Sequence, residues 1–412
     1  MARVWAEIDL QAVAANTRRV LSRIGSHVQC MAVVKADAYG QGAEAYARTV
    51  LAAGAQRLAV ASVVEGCQLR RQRIGAPVHI LGAALTEELG LAIANGLSIS
   101  VSSKHEIEEI DAAARGIGRR AVVHLNVDTG MGRLGFSPEA AFGAAQILDR
   151  LESVDFEGVS THFHAAGEAN GEVVRQQFAQ FTAVRDRIEA AGIEVPLYHA
   201  GASAAIELHP GTWLDMVRPG ILLHGVRSWT APEVGGLELL PALQLKTSVV
   251  AVRKLPKGHN VGYGVSCSLT RESFVATLSA GYADGAPRSL SNKGQVLISG
   301  ERCPILGTVC MDYMMVDVTA LSEIGKLPTR GDEAVLMGEQ GLARISVEEV
   351  ALTAGTCAHD VLCRLGDRVK QRYKPMTQAA SAAGSDTSAG SSAPVAPAAR
   401  WQQTSNRHRR TA

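Results

Sequence analysis

Residues 31–42 read MAVVKADAYGQG, a short apolar run that ends in a lone lysine, Lys35, followed by a tyrosine, Tyr39, and two glycines. An ammonium at the end of a buried strand is penalised in its charged form. Burial there lowers the pKa and leaves an amine ready to act as a nucleophile. An ordinary strand-end lysine instead snorkels its head to water, and this stretch alone admits both readings. The recurrence of the pattern along the chain decides between them.

Seven more short apolar runs follow the first, CMAVV: RLAVASVV, PVHILG, LSISVSS, AVVHLNV, FEGVSTHF, VPLYHAG and LDMVRPG. Between them lie stretches of helical periodicity such as KHEIEEIDAAAR and EVVRQQFAQFTAVRDRIEAAG, the latter closed by Gly192. Eight strand–helix units over about residues 28–235 predict an α/β fold, a (β/α)8 TIM-like barrel. A doubly wound sheet is the alternative, but no Gly-x-Gly-x-x-Gly follows the first strand. After about residue 237 the runs become short, alternating and separated by Gly, Pro, Asn and Asp, which predicts a mostly-β C-terminal domain. The expected division is a barrel over 10–236 and a β domain over 237–374, with residues 1–9 joining the β domain. The Ser/Ala/Gly/Pro-rich stretch 375–412 is expected to be a disordered tail.

Of 412 residues, 41 are Lys or Arg and 40 are Asp or Glu, so no net charge recruits nucleic acid or an anionic membrane. The partner expected is a small molecule. Seven scattered cysteines form no Cys-x-x-Cys pair, which argues against a metal and for reduced thiols in the cytoplasm. The N-terminus MARVWAEIDL has no signal-peptide pattern, and a cytoplasmic protein is expected.

In a barrel the chemistry gathers at the C-terminal ends of the strands. Polar residues placed there are Lys35, Arg133 in DTGMGRLG, His162 in THFH, His199 and Ser203 in YHAGAS, and Arg218 in VRPGI. Each alone could be structural. In VRPGI, Pro219 lacks an amide proton whereas Gly220 and Ile221 have one, which outlines either an anion site or a capped turn. An anion site beside an imine-forming lysine suggests pyridoxal phosphate.

The motifs AEIDLQAVAAN, AVVKADAYGQG, DTGMGRLG, THF, RPGI, VGYG, GYADG and CMDYMMVD, in this order, resemble the alanine racemases over about Val4–Val369. That family comprises fold-type III pyridoxal-phosphate enzymes built from a barrel and a β domain. The resemblance implies racemisation of alanine in a homodimer with shared active sites, supplying D-alanine for peptidoglycan. It implies that Lys35 holds the cofactor as a Schiff base, that Tyr39, Ser203, Gly220 and Ile221 cradle its phosphate, and that Arg218, supported by His199, faces its ring nitrogen. By the same resemblance Arg133 lies near the cofactor's phenolic oxygen and binds substrate. Tyr263 is the second acid/base, from the other subunit, and His162 tunes it. Met311 holds the substrate carboxylate, and Tyr282 and Arg288 line the substrate passage.

Some positions depart from the family pattern. Asn126 replaces a lysine, so that a bound chloride is implied. His359 replaces a tyrosine at the phosphate, Thr308 and Gly167 replace a charged pair in the passage, and Ala202 replaces an asparagine. These changes leave two readings, a wider range of amino acids with serine first, or drift with alanine still preferred. A non-catalytic pyridoxal-phosphate carrier would lack the β domain and Tyr263, and a decarboxylase of the same fold would not have Arg218.

Overall fold

Strands whose neighbours pack on both faces are mostly apolar, and the eight runs form such strands, with His79, Ser98, Ser100 and His124 among the buried polar exceptions. They are Gln29–Val33 (β2), Arg57–Val60 (β3), Val78–Ile80 (β4), Leu97–Val101 (β5), Ala121–Asn126 (β6), Val154–Ser160 (β7), Leu197–His199 (β8) and Met216–Val217 (β9), preceded by Val4–Ile8 (β1). The computed structural model describes residues 3–168, 171–229 and 236–374, and the tail expected over 375–412 lies outside the described residues. The eight strands run parallel in the order β8-β7-β6-β5-β4-β3-β2-β9. The ring closes where the Arg218 amide donates to Gly201 O at 2.8 Å and Ala202 bridges Arg218.

The helices around the ring begin and end where sequence says they should. Asp9 caps Leu10–Ile24 by accepting from the Ala12 amide, and Val13, Thr17, Val20 and Ile24 form its buried stripe. Ser103 caps Lys104–Ile117, which stops at left-handed Gly118 (φ 69°), and Gly192, also left-handed at φ 75°, follows Glu172–Ala190.

The second sheet consists of Leu243–Leu255 (β10), Ser273–Leu278 (β11), Gln295–Ile298 (β12), Glu301–Leu306 (β13), Met314–Asp317 (β14), Glu333–Gln340 (β15), Ala343–Ile345 (β16) and Lys370–Tyr373 (β17), together with β1. β1 pairs antiparallel with β10, from Val4 opposite Thr247 to Ile8 opposite Leu243. β12 and β13 meet in a hairpin whose turn, Ser299 and Gly300, has positive φ at both residues, as the strands' twist requires. The expected barrel followed by a mostly-β domain is the fold observed. The β domain also carries two helices, Val347–Ala354 and Ala358–Leu362, and the second presents His359.

One irregularity inside the barrel matters below. Val123 pairs with Phe156 and His124 with Gly158, so Glu157 is an extra residue bulged out of the β7 ladder. The His124 ring lies over Gly158, where a Cβ would stand 2.5 Å from Nδ1. Gly158→Ala is therefore expected to cost about 1–3 kcal/mol through overpacking, read from the midpoint of chemical denaturation.

Candidate active site

The chain following β2 does something its sequence does not announce. Ala36, Asp37, Ala38 and Tyr39 all have φ between 51° and 56°, a single left-handed turn built without glycine. Each such residue costs roughly 1–2 kcal/mol, so the turn persists only because its surroundings impose it. Glu65 accepts from the Ala36 amide at 2.8 Å and the Ala61 amide at 2.7 Å. Asp37 accepts from the Ala43 amide at 2.7 Å, and Gln371 of β17 donates to Asp37 and to Gly40 O. Lys35 and Tyr39 are thereby fixed at the two ends of one rigid turn.

Both face a cavity of about 600 Å³ at the C-terminal ends of the barrel strands, also lined by Arg133, His162, His199, Ser203 and Arg218. Gly220, Ile221, Asn126, Ala202, Gly167 and His359 complete the wall. The cavity size suits a ligand that is mostly buried. Burial, then the nearby Arg133 charge, lowers the Lys35 pKa, against the opposing pull of Cys363 and Glu65. Burial pushes the Tyr39 phenol well above its ordinary range, so it stays a hydrogen-bond donor. The Ser203 hydroxyl accepts from the Gly220 amide at 2.9 Å and keeps its own proton to donate. A side chain at Gly220 would overlap the Tyr39 hydroxyl, so glycine is what lets these two walls meet.

Arg133 sits in a loop drawn tight by Asp128, whose carboxylate accepts from the Gly130 and Gly132 amides. The Asn126 amide lies 3.5 Å from both Ser102 and Ser160 at the end of β6. Arg218 is buried, donating to His199 Nδ1 at 2.5 Å and to the carbonyls of Thr161 and Ala200 at 2.7 and 2.8 Å. His162 Nδ1 lies 3.4 Å from the same guanidinium. The His359 ring is 5.9 Å from that of Tyr39, and at Gly167 a Cβ would stand 3.1 Å from Trp229 Cβ.

Burial, and then the charges of Arg218, Arg133 and Lys35, lowers His162 to about 3. His224, packed between Tyr39 and Tyr46, is lowered by burial and then His359 to about 3. The unfolded chain takes up these protons near pH 6.5, whereas the folded protein does not until about pH 3. Stability is therefore retained above 6.5 and falls as pH drops toward 3. Each histidine contributes up to about 1.4 kcal/mol per pH unit across that window. Urea midpoints measured across it should show the decline, and His224→Phe, which keeps the ring packing, should remove one histidine's share.

Tyr263, Met311, Tyr282, Arg288 and Thr308 do not line this cavity. They stand on the β domain, where Tyr263 is 73% exposed, Met311 52% and Tyr282 40%. Their turns interlock: the Tyr282 amide donates to Cys310 O, the Ala283 amide to Met311 O, and Thr308 Oγ1 to Tyr263 O at 2.9 Å. A side chain at Gly281 would overlap the carbonyls of Cys310 and Met311, which explains the first glycine of GYADG.

Residues 8–228 match the alanine racemase N-terminal domain and residues 242–373 the alanine racemase C-terminal domain. The chain belongs to the alanine racemase family. It is 42% identical over 372 residues to the alanine racemase of Desulforamulus reducens, covering 90% of this chain and 98% of that one. The alanine racemase of Symbiobacterium thermophilum is also 42% identical, over 375 residues, with 90% and 97% covered. Among solved structures, alanine racemase from D-cycloserine-producing Streptomyces lavendulae superposes with a TM-score of 0.84 at 35% identity, covering 92% of this chain and 98% of that one. The Bartonella henselae alanine racemase, solved with covalently bound pyridoxal phosphate, gives a TM-score of 0.82 at 30% identity, with 91% and 100% covered.

Members of the alanine racemase family are pyridoxal-phosphate-dependent isomerases, and this one racemises alanine. Sequence reasoning missed two supports of the racemase site. Glu65 holds the Lys35 turn, and the buried chain from His199 through His124 to Glu157 lies beneath Arg218. An isolated glycine next to a glutamate in the run FEGVSTHF was the available signal for the bulge that sets Glu157 and Gly158 beside His124.

Proposed function

We propose that the enzyme interconverts L- and D-alanine with pyridoxal phosphate in the barrel cavity, using Lys35 on one face of the substrate and Tyr263 of a second copy on the other. The observation that carries this reading is the half-buried Lys35 amine, its pKa lowered, in a cavity whose other walls are arranged as donors. The fit to the cofactor is good. The Tyr39 and Ser203 hydroxyls and the backbone at Gly220 and Ile221 form a cradle that any side chain at Gly220 would fill, and it suits a phosphate. Bound there, the group would supply an electron sink that acidifies the substrate's α-proton.

Inverting a carbon requires taking a proton from one face and returning one to the other, so two acid/bases must flank it. Lys35 serves one face as a neutral amine. Arg218 offers only donors, so beside a bound cofactor's ring nitrogen it would disfavour protonation there, keep the sink weak and limit diversion into transamination. Arg133 would orient the substrate near the cofactor's oxygen, and a chloride beside Asn126 would supply the negative charge that an asparagine lacks. His162 would tune Tyr263, and Met311 would steady the substrate carboxylate from the second copy.

The exposed Tyr263, Met311 and Tyr282 form a face of the kind that a homodimer covers. The division of labour we infer is a cofactor-binding barrel, 10–236, and a β domain, 237–374 with residues 1–9, that completes the neighbouring site. Among the described residues no helix is long and apolar enough to cross a membrane, and we assign the enzyme to the cytoplasm as the source of D-alanine for peptidoglycan.

The test is a panel of single L-amino acids incubated with purified enzyme and pyridoxal phosphate, with D-to-L ratios read by chiral chromatography. Alanine should equilibrate fastest. Serine equilibrating at a comparable rate would make His359, Thr308 and Gly167 a broadened passage, and failure to racemise alanine despite bound cofactor would leave only a carrier. Arg218→Glu is expected to raise the share of turnovers lost to transamination, seen as conversion of the cofactor's absorbance to that of its amine form. An unchanged share would remove Arg218 from its assigned role.

A further inference from the structure

Arg218 is only 4% exposed, and among the described residues no carboxylate pairs with it. Its four polar neighbours, His199, His162, Thr161 O and Ala200 O, are neutral acceptors. With no charge beside it, the guanidinium depends on these groups staying bare acceptors, and for His199 the hold has to be sought further away.

A continuous buried chain provides it. His199 Nε2 lies 2.8 Å from His124 Nδ1, and His124 Nε2 lies 2.8 Å from Glu157 Oε2. Glu157 Oε2 also accepts from Arg57 at 2.9 Å, and Arg57 in turn donates to Gln29 at the start of β2. Both histidines are buried, whereas the Glu157 side chain is 21% exposed, so the chain descends the barrel axis from the cavity toward the opposite mouth.

The direction of every bond is fixed by chemistry. A guanidinium can only donate, so His199 Nδ1 is bare and its proton sits on Nε2. That proton can only go to a bare His124 Nδ1, which places the His124 proton on Nε2, facing the carboxylate. The bulge lets both Glu157 and Gly158 stand beside His124 while Val159 returns to the outer core, and Gly158 leaves room for the His124 ring, so the backbone itself is shaped to make the last link.

We propose that Glu157 is the remote anchor of the support beneath Arg218. Through the Nε2–H tautomers of His124 and His199, its carboxylate keeps the Nδ1 face of His199 a bare acceptor and so holds the guanidinium in place. Glu157 and His124 are positioning residues that act through His199, much as carboxylates orient and enrich the histidines that ligate metals. Burial alone would raise the Glu157 carboxyl, but the bonds from His124 and Arg57 bring it to about 2, so the anchor stays ionised.

The deciding experiment reads ring nitrogens by long-range 1H–15N spectra of histidine-labelled holoenzyme, assigned with single His→Gln variants. In the wild type both His124 and His199 should be Nε2–H tautomers, and finding the His199 proton on Nδ1 would overturn the proposal before any variant is made. Glu157→Gln, whose carbonyl oxygen can accept the same bonds, should retain both tautomers and most activity. Glu157→Leu should mix the tautomers and lower kcat by about 10-fold or more with KM little changed, the usual scale for losing an outer partner of a working histidine. Unchanged tautomers in Glu157→Leu, or mixed tautomers with unchanged kcat, would each refute it. The kcat arm rests on the proposed role of Arg218, whereas the tautomer arm does not, so the two can fail separately.

Discussion

Replacing Lys35 with alanine is expected to lower alanine racemisation by about 10⁴-fold or more, because under the proposed function this one side chain is both cofactor anchor and acid/base. The loss should be chemical, with the fold intact. Lys35 stands just before a turn held by Glu65, Asp37 and Gln371, none of which bonds to its side chain in the structure. Lys35→Arg should not rescue, since a guanidinium does not give up its proton at neutral pH and cannot form the covalent link. The assay is the D-to-L ratio of alanine over time, with far-UV circular dichroism to confirm folding. Retention of activity within tenfold of wild type would remove Lys35 from the chemistry and return it to the ordinary strand-end lysine, whatever the cofactor does.

The barrel was legible because its strands are buried on both faces and so read as short, mostly apolar runs at regular intervals. The polar residues that follow those runs, from Lys35 to Arg218, were brought to one cavity by the general rule for strand ends. Two features were not legible, for different reasons. Nothing in Lys35–Tyr39 signals positive φ, since the turn is imposed by Glu65, some thirty residues on, and by Gln371 and Tyr373 at the far end of the chain. Alternation along β7 already puts Glu157 on the barrel-facing side, after outward Phe156, but only the bulge sets it together with Gly158 beside His124 and returns Val159 to the outer core, and nothing local announces that. Local pattern predicts local structure, whereas both supports of the site come from distant partners. The hairpin at Ser299–Gly300 and the capped helices show the converse, elements whose cause lies within a few residues.

Tyr263→Phe is expected to slow racemisation in both directions by about 10²- to 10⁴-fold, since each turnover needs a proton donor on the face opposite Lys35. The more telling result comes from mixing this variant with Lys35→Ala. Within its own chain Tyr263 lies on a short 3-10 turn, 73% exposed and outside the cavity wall, which is why the proposed function brings this phenol to the substrate from another copy. A dimer of one Lys35→Ala and one Tyr263→Phe chain then contains one site with both groups intact and one with neither. Equimolar subunit exchange makes half the dimers mixed, and activity should recover to about one quarter of wild type from two nearly inactive parents. If Tyr263 served its own chain, every site in the mixture would lack one group and no activity would return. Recovery thus measures where the second acid/base comes from, independently of how fast either variant is by itself, and it would make the exposed face of Tyr263, Met311 and Tyr282 a working part of the neighbouring site.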